Sequence, residues 1–113
     1  MSKIQIEPIA AESFGVRSMA TYVKTPDTAI VIDPGCSLGQ RVRLDPHPKE
    51  YEALFQANQR LIAKCENADI LTISHFHFDH LKPTFTDYHF ILANRDLAEH
   101  LYSDKIIIAK DFR

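Results

Sequence analysis

"ILTISHFHFDHLKP", residues 70–83, runs from a β-branched apolar stretch into three histidines and an aspartate within six positions. The whole chain has six histidines, so three of them fall in this one short stretch. The apolar part, 68–74, reads as a near-continuous buried strand of a sheet covered by a helix, which puts the histidines at the strand's C-terminal end. An imidazole nitrogen and a carboxylate oxygen are ordinary ligands of zinc and its neighbours, in sites that keep one position open for water. His75 and His77, two apart in extended backbone, point the same way and can pinch one ion. Asp79 and His80 fall where the chain must turn out of the strand, so they face a second ion. Two ions about 3.5–4 Å apart share a hydroxide and activate it near neutral pH. The cluster therefore reads as half of a two-metal hydrolytic site, with Phe76 and Phe78 turned the other way and wedging the loop on the core.

Upstream, the period changes to a helical one from Pro48 to about Asn67. Tyr51, Leu54, Phe55, Leu61, Ile62 and Cys65 share one face, with Asn58 as the single polar interruption. Pro48 suits a first helical turn, Glu50 and Glu52 suit the N-terminal dipole end, and Lys64 the other. A loop rich in Pro and Gly precedes this helix, from Cys36 to His47. Before that, Ile4 and Ile6 alternate with polar residues, and "MATYVKT" (19–25) and "TAIVID" (28–33) read as a hairpin about Pro26-Asp27. "DPG" at 33–35 ends the second strand, because Pro34 cannot donate to a ladder and Gly35 permits a left-handed turn. Downstream, the pattern predicts a short strand at "YHFILA" (88–93), a short helix near 95–102 and an apolar strand at "KIIIA" (105–109).

At 113 residues the chain has the size of one domain, taken as a single unit, 1–113. Hydrophobic residues at 45%, charged residues at 25% and a formal charge of −2 give no sign of a nucleic-acid or anionic-membrane partner. No apolar stretch approaches the roughly 18 residues of a membrane span, and "MSKIQIEPIA" has no signal-peptide pattern, so a cytoplasmic location is expected. Cys36 and Cys65 have no C-x-x-C spacing and are expected to be reduced.

On these residues, "HFHFDH" behind an apolar strand, preceded by a strand ending in "IDPG", resembles the N-terminal half of the metallo-β-lactamase superfamily, whose fold is a four-layer αββα sandwich. More narrowly, "ESFGVRSMATYV", "IDPG" and "ADILTISHFHFDH" look like an uncharacterised archaeal hydrolase branch of it. The resemblance implies an α+β fold: half of that sandwich, a mixed β-sheet with a covering amphipathic helix. It also implies two divalent ions, with zinc first and iron or manganese as alternatives. His75 and His77 would bind the first ion, Asp79 and His80 the second, and Asp79 is also the candidate catalytic carboxylate. Asp33 matches an aspartate that ends an early strand and braces the metal loop without touching an ion. The plain alternative for Asp33 is a residue that starts a turn. Arg17 and Ser18 lie in a loop that runs near the site rim in the family, which makes them substrate-contact candidates.

This chain departs from the pattern in two ways. Leu81-Lys82-Pro83 stands where many members have glycines, and the family domain is much longer, drawing a further histidine, a bridging aspartate and a last histidine from its C-terminal half. His89, Asp96 and His100 are poor substitutes, since the first sits in an expected strand and the others form a common helix-surface pairing; His47 reads as a turn residue. The expected function is a metal-dependent hydrolase of this type, acting through metal-bound hydroxide on an ester, thioester, amide or phosphodiester, and incomplete without a complementary C-terminal half-domain. The alternative is a non-catalytic metal-binding or interaction module, or the product of an interrupted reading frame. With strands apolar on both faces and one face uncovered, the chain is expected to associate with its complement or with itself.

Overall fold

An antiparallel meander followed by two parallel strand–helix–strand units makes up the computed structural model, which describes residues 3–11, 15–39 and 45–109. β1 (Gln5–Pro8), β2 (Thr21–Lys24) and β3 (Ala29–Ile32) pair antiparallel. β4 (Ile70–Ile73) and β5 (Ile106–Ala109) join in parallel, after α1 (Pro48–Glu66) and α2 (Arg95–Tyr102) respectively. Sheet order follows chain order, β1-β2-β3-β4-β5. Parallel neighbours need a long crossover, which is why a helix follows β3 and β4 while β1 and β2 lead on without one. Residues 40–44 of the Pro- and Gly-rich loop and 12–14 of "ESFGVRSMATYV" lie outside the described residues.

α1 begins where its capping signals begin. His47 is the N-cap: its Nδ1 accepts from the Lys49 amide at 3.1 Å, and Glu50 accepts from the His47 amide at 2.6 Å, with Pro48 at the first helical position. The buried stripe is Leu54, Ala57, Asn58, Leu61 and Cys65. Phe55 was expected on that stripe but is 56% exposed, because it lies about 100° around the helix from Leu54. Val31, Leu71, Leu61, Cys65 and Leu101 form the main core between the sheet and both helices. Each fully buried aliphatic side chain there contributes about 1.5–3 kcal/mol relative to exposure. A second cluster, including Val16, Cys36, Leu38, Leu54 and Ala57, ties the chain beyond β3 to α1. Both cysteines are free and buried, and burial pushes the Cys65 thiol up to about 12.

The strand register separates the two faces of the sheet. Tyr22, Val31, Leu71 and Ile107 lie in one row, and the first three are buried under the helices. Ile6, Val23, Ile30, Ile70 and Ile106 form a row on the opposite face. There Ile6 is 68% and Ile106 62% exposed, and Ile108 extends the patch at 57%. Both faces are apolar, and the helices cover one of them.

One expectation needs correction. Residues 88–91 form a turn, not a strand: the Asp87 carboxylate accepts from the His89 and Phe90 amides at 2.8 and 2.9 Å, and Asp87 and Ala93 close the loop as an isolated bridge. A side-chain cap competes with a ladder for the same N–H groups, and here it overrides the β propensity of Tyr88, Phe90 and Ile91. The expected α+β class holds, as a five-stranded mixed sheet with two helices among the described residues. No helix among them is long and apolar enough to cross a membrane.

Candidate functional site

β3 and β4 run parallel, so both deliver their C-terminal ends to one edge of the sheet, where Asp33 and Ser74 meet. Asp33 is non-glycine backbone in the left-handed region, at φ 51°, held there by its amide donating to Thr72 O at 2.7 Å. Residues kept in that region cluster at functional sites. The conformation turns the carboxylate back toward the motif. Its Oδ1 accepts from the Ser74 amide at 2.7 Å, and its Oδ2 accepts from the Ser74 hydroxyl at 2.7 Å and faces His80 Nδ1 at 3.0 Å. Burial raises the Asp33 carboxyl pKa, but the Ser74 amide, the Ser74 hydroxyl and His80 outweigh that and hold it below the usual carboxylate range.

An ionised carboxylate only accepts, which fixes the remaining donors. His80 Nδ1 must donate to Asp33, so in the neutral ring Nε2 carries the lone pair. The single Ser74 proton goes to Asp33, so His75 Nδ1, 2.8 Å from the same hydroxyl, must donate to it. His75 Nε2 is then an acceptor as well. The two rings stack at 4.2 Å, and His80 Nε2 lies 3.6 Å from Asp79 Oδ2. The chain reverses here, with His80 and Leu81 amides both donating to His77 O.

His75 and His77 lie beyond β4, which stops at Ile73, and their ring centroids are 5.8 Å apart. Two imidazoles on one ion, at roughly 2.0–2.1 Å per nitrogen, have centroids about 5–6 Å apart. That pair is spaced for one ion. No group of three or more His, Cys, Asp or Glu among the described residues is placed to hold a metal. Phe78 is also not a core wedge: it is 40% exposed and packs edge-to-face on Phe85 at 5.1 Å.

The other expected residues separate. Ser18 is buried, its hydroxyl donating to Gly35 O at 2.6 Å and accepting from the Ala20 amide, and so braces the turn after β3. Arg17 is exposed and lines a cavity beside Asp79. His89 pairs with Asp45 at 3.0 Å and His100 with Glu66 at 2.8 Å, both on the surface.

Sequence reasoning missed Lys82, read only as a departure from glycine. It is fully buried, and its ammonium donates to Cys36 O at 2.9 Å and Ile91 O at 2.5 Å. Its backbone is clamped by the Tyr102 hydroxyl, which accepts from Lys82 N and donates to Lys82 O. Asn58, the polar interruption of α1, accepts from the Cys36 thiol at 3.2 Å and donates to Leu92 O at 3.2 Å. A long cation within an otherwise short, turn-rich segment was the available signal for Lys82, but nothing local names its carbonyl partners. Lys82→Met is expected to destabilise the chain by about 2–4 kcal/mol, since two buried acceptors lose their donor at about 1–3 kcal/mol each. Burial holds the Lys82 pKa below its ordinary 10.5, so the unfolded state binds more protons in the window just below 10.5. Its contribution to stability therefore rises with pH across that window. Urea unfolding at neutral and alkaline pH should show that rise in the parent and lose it in Lys82→Met.

Comparison with known proteins finds UPF0282 proteins. The chain is similar to those of Methanocaldococcus jannaschii (43% identity over 108 residues) and Methanopyrus kandleri (41% over 108), covering 95% of this chain and 36% of each relative. The Metallosphaera sedula relative is 38% identical over 109 residues, 96% of this chain and 32% of its own. The chain thus spans about a third of the length of the curated relatives it matches. No family model and no solved structure matches it. The relatives carry the designation of an uncharacterised archaeal family and none is named a metallo-β-lactamase or a hydrolase, which overturns the superfamily resemblance drawn from "HFHFDH" and "IDPG". Short motifs recur in unrelated settings, and matches over nearly the whole chain outweigh them.

Proposed function

We propose that the chain carries the histidine–carboxylate part of a divalent-metal-dependent hydrolytic site, completed by ligands outside these 113 residues. The observation behind this is the hydrogen-bond chain centred on Asp33, which turns Nδ1–H of both His75 and His80 inward and leaves each Nε2 as an acceptor. Ligating imidazoles are commonly oriented in this way by a carboxylate or other acceptor behind them. A bound divalent ion would supply a hydroxide near neutral pH and polarise the ester, thioester, amide or phosphodiester attacked. Within the chain, Asp33 holds the orientation of His80, Ser74 holds that of His75, and the half-buried Asp79 lies at the edge of the adjoining cavity.

The same reading supplies a cover for the bare sheet face. About two thirds of each relative lies outside the match, enough to pack a second sheet over Ile6, Ile32, Ile106 and Ile108. The alternative, a non-catalytic metal-binding or interaction module, draws on the lack of a three-ligand set among the described residues.

The test uses the full-length Methanocaldococcus jannaschii relative. Cobalt(II) titration, read by visible absorption, is expected to show saturable binding that weakens about tenfold or more when residues aligned with His75, His77 or Asp79 become alanine. Hydrolysis of 4-nitrophenyl acetate or bis(4-nitrophenyl) phosphate should disappear with the metal. Binding without turnover would favour the interaction module, and no binding by the parent would remove the metal reading.

A further inference from the structure

Between the motif turn and the 85–91 loop lies a cavity of about 340 Å³. Its walls carry one cation, Arg17, and three phenylalanines, Phe78, Phe85 and Phe90, with Asp79 at the motif end. We propose that this cavity binds an oxyanion on an aromatic body, with Arg17 clamping the anion and the Phe78–Phe85 pair flanking the ring.

Arg17 is exposed, and neighbours set its backbone and one side of its guanidinium. Its backbone pairs both ways with Ser37, at 2.8 and 3.0 Å, and its guanidinium lies so close to Gly39 that an added Cβ would sit 3.3 Å from Nε. No carboxylate among the described residues is ion-paired with it. The other acid on the wall, Asp87, is occupied by the amides of His89 and Phe90. A planar guanidinium grips a carboxylate or phosphate through two parallel hydrogen bonds. Phe78 and Phe85, 40% and 49% exposed and in edge-to-face contact, offer a ring a ready aromatic surface. Asp79 repels a second anion, so the ligand lies with its charge toward Arg17 and its uncharged end toward the motif. That Asp79 marks the reacting end rests on the hydrolytic reading; the anion site itself does not.

The experiment is therefore run on the 113-residue chain in EDTA, which separates it from metal loading. Amide shifts are followed by NMR with 2-naphthoate, 2-naphthyl phosphate and uncharged 2-naphthalenemethanol. The expected result is saturable shifts around Arg17, Ser37 and Phe85 with one or both anions, and binding of the alcohol weaker by about tenfold or more. The carboxylate and phosphate arms tell which oxyanion is preferred. Arg17→Gln should lower anion affinity to that of the alcohol, and Phe85→Ala should weaken all three probes. Equal binding of acid and alcohol, unchanged affinity in Arg17→Gln, or no shift up to millimolar probe would overturn the proposal.

Discussion

Gly35→Ala is expected to lose about 3 kcal/mol or more of stability and to pull the motif turn away from Asp33. The left-handed turn expected at Gly35 is not found, since its φ is not positive, and the reason for the glycine is contact instead. A Cβ built on Gly35 would sit 2.6 Å from His80 C and 2.7 Å from Leu81 Cα, and nearer still to Leu81 N. These are backbone atoms, and they are tied down: Leu81 N donates to His77 O, Lys82 is clamped by Tyr102, and Gly35 O holds the Ser18 hydroxyl. Neither partner can yield cheaply. For a domain whose total stability is about 5–15 kcal/mol, the loss is a large fraction. Urea unfolding gives the magnitude, and the His80 ring signals report whether the Asp33 contact survives. An alanine variant within about 0.5 kcal/mol of the parent would show that the turn relaxes freely, and the tight approach would lose its meaning.

The second large effect is expected at Asp33. Asp33→Ala removes the acceptor of the Ser74 amide, the Ser74 hydroxyl and His80 Nδ1, and places a Cβ-bearing residue without a local hydrogen bond at φ 51°. A cost of about 3–5 kcal/mol is expected, the range for breaking a buried charged network by removing one partner. Asp33→Asn tolerates the left-handed conformation and keeps the side chain's size, so the fold should survive. Cobalt(II) affinity in the longer relative should nonetheless fall about ten- to a hundredfold at the aligned position, because the amide no longer enforces the His80 orientation. Acid unfolding provides an independent readout. The Asp33 carboxyl is held below its ordinary 3.8, so its stabilisation is complete above that value and is lost as pH falls through the lower folded-state value. The parent should weaken on acidification through that window, and Asp33→Asn should lack this component. An asparagine variant with parent-like metal affinity would leave Asp33 as a turn residue only.

The legible parts of the fold were those decided within a few residues. The α1 boundaries follow from His47, Pro48 and Glu50 at one end and the polar Asn67 at the other. The hairpin of β2 and β3 follows from two β-rich runs around Pro26-Asp27. The motif histidines announced themselves by density alone. Where reading failed, a side chain had two local options and the packing chose. Phe55 sits at the margin of the α1 stripe and turned to solvent, Phe78 could have faced the core or Phe85, and Asp87 drew 88–91 into a cap instead of a ladder.

By itself the sequence determined the types of the two helices and five strands among the described residues, the apolar character of both sheet faces, and the identity of the residues gathered at the end of β4. These are short-range matters of period, capping and composition, each settled by neighbours a turn or a strand away. Only the tertiary structure decided that Asp33 reaches His80 across 47 residues, that Lys82 ties Cys36 to Ile91, and that Arg17 shares a cavity with Asp79. Parallel pairing of β3 with β4 is the cause. It sets two strand ends side by side, and hydrogen-bond partners so far apart in sequence are selected by that register rather than by anything written beside them.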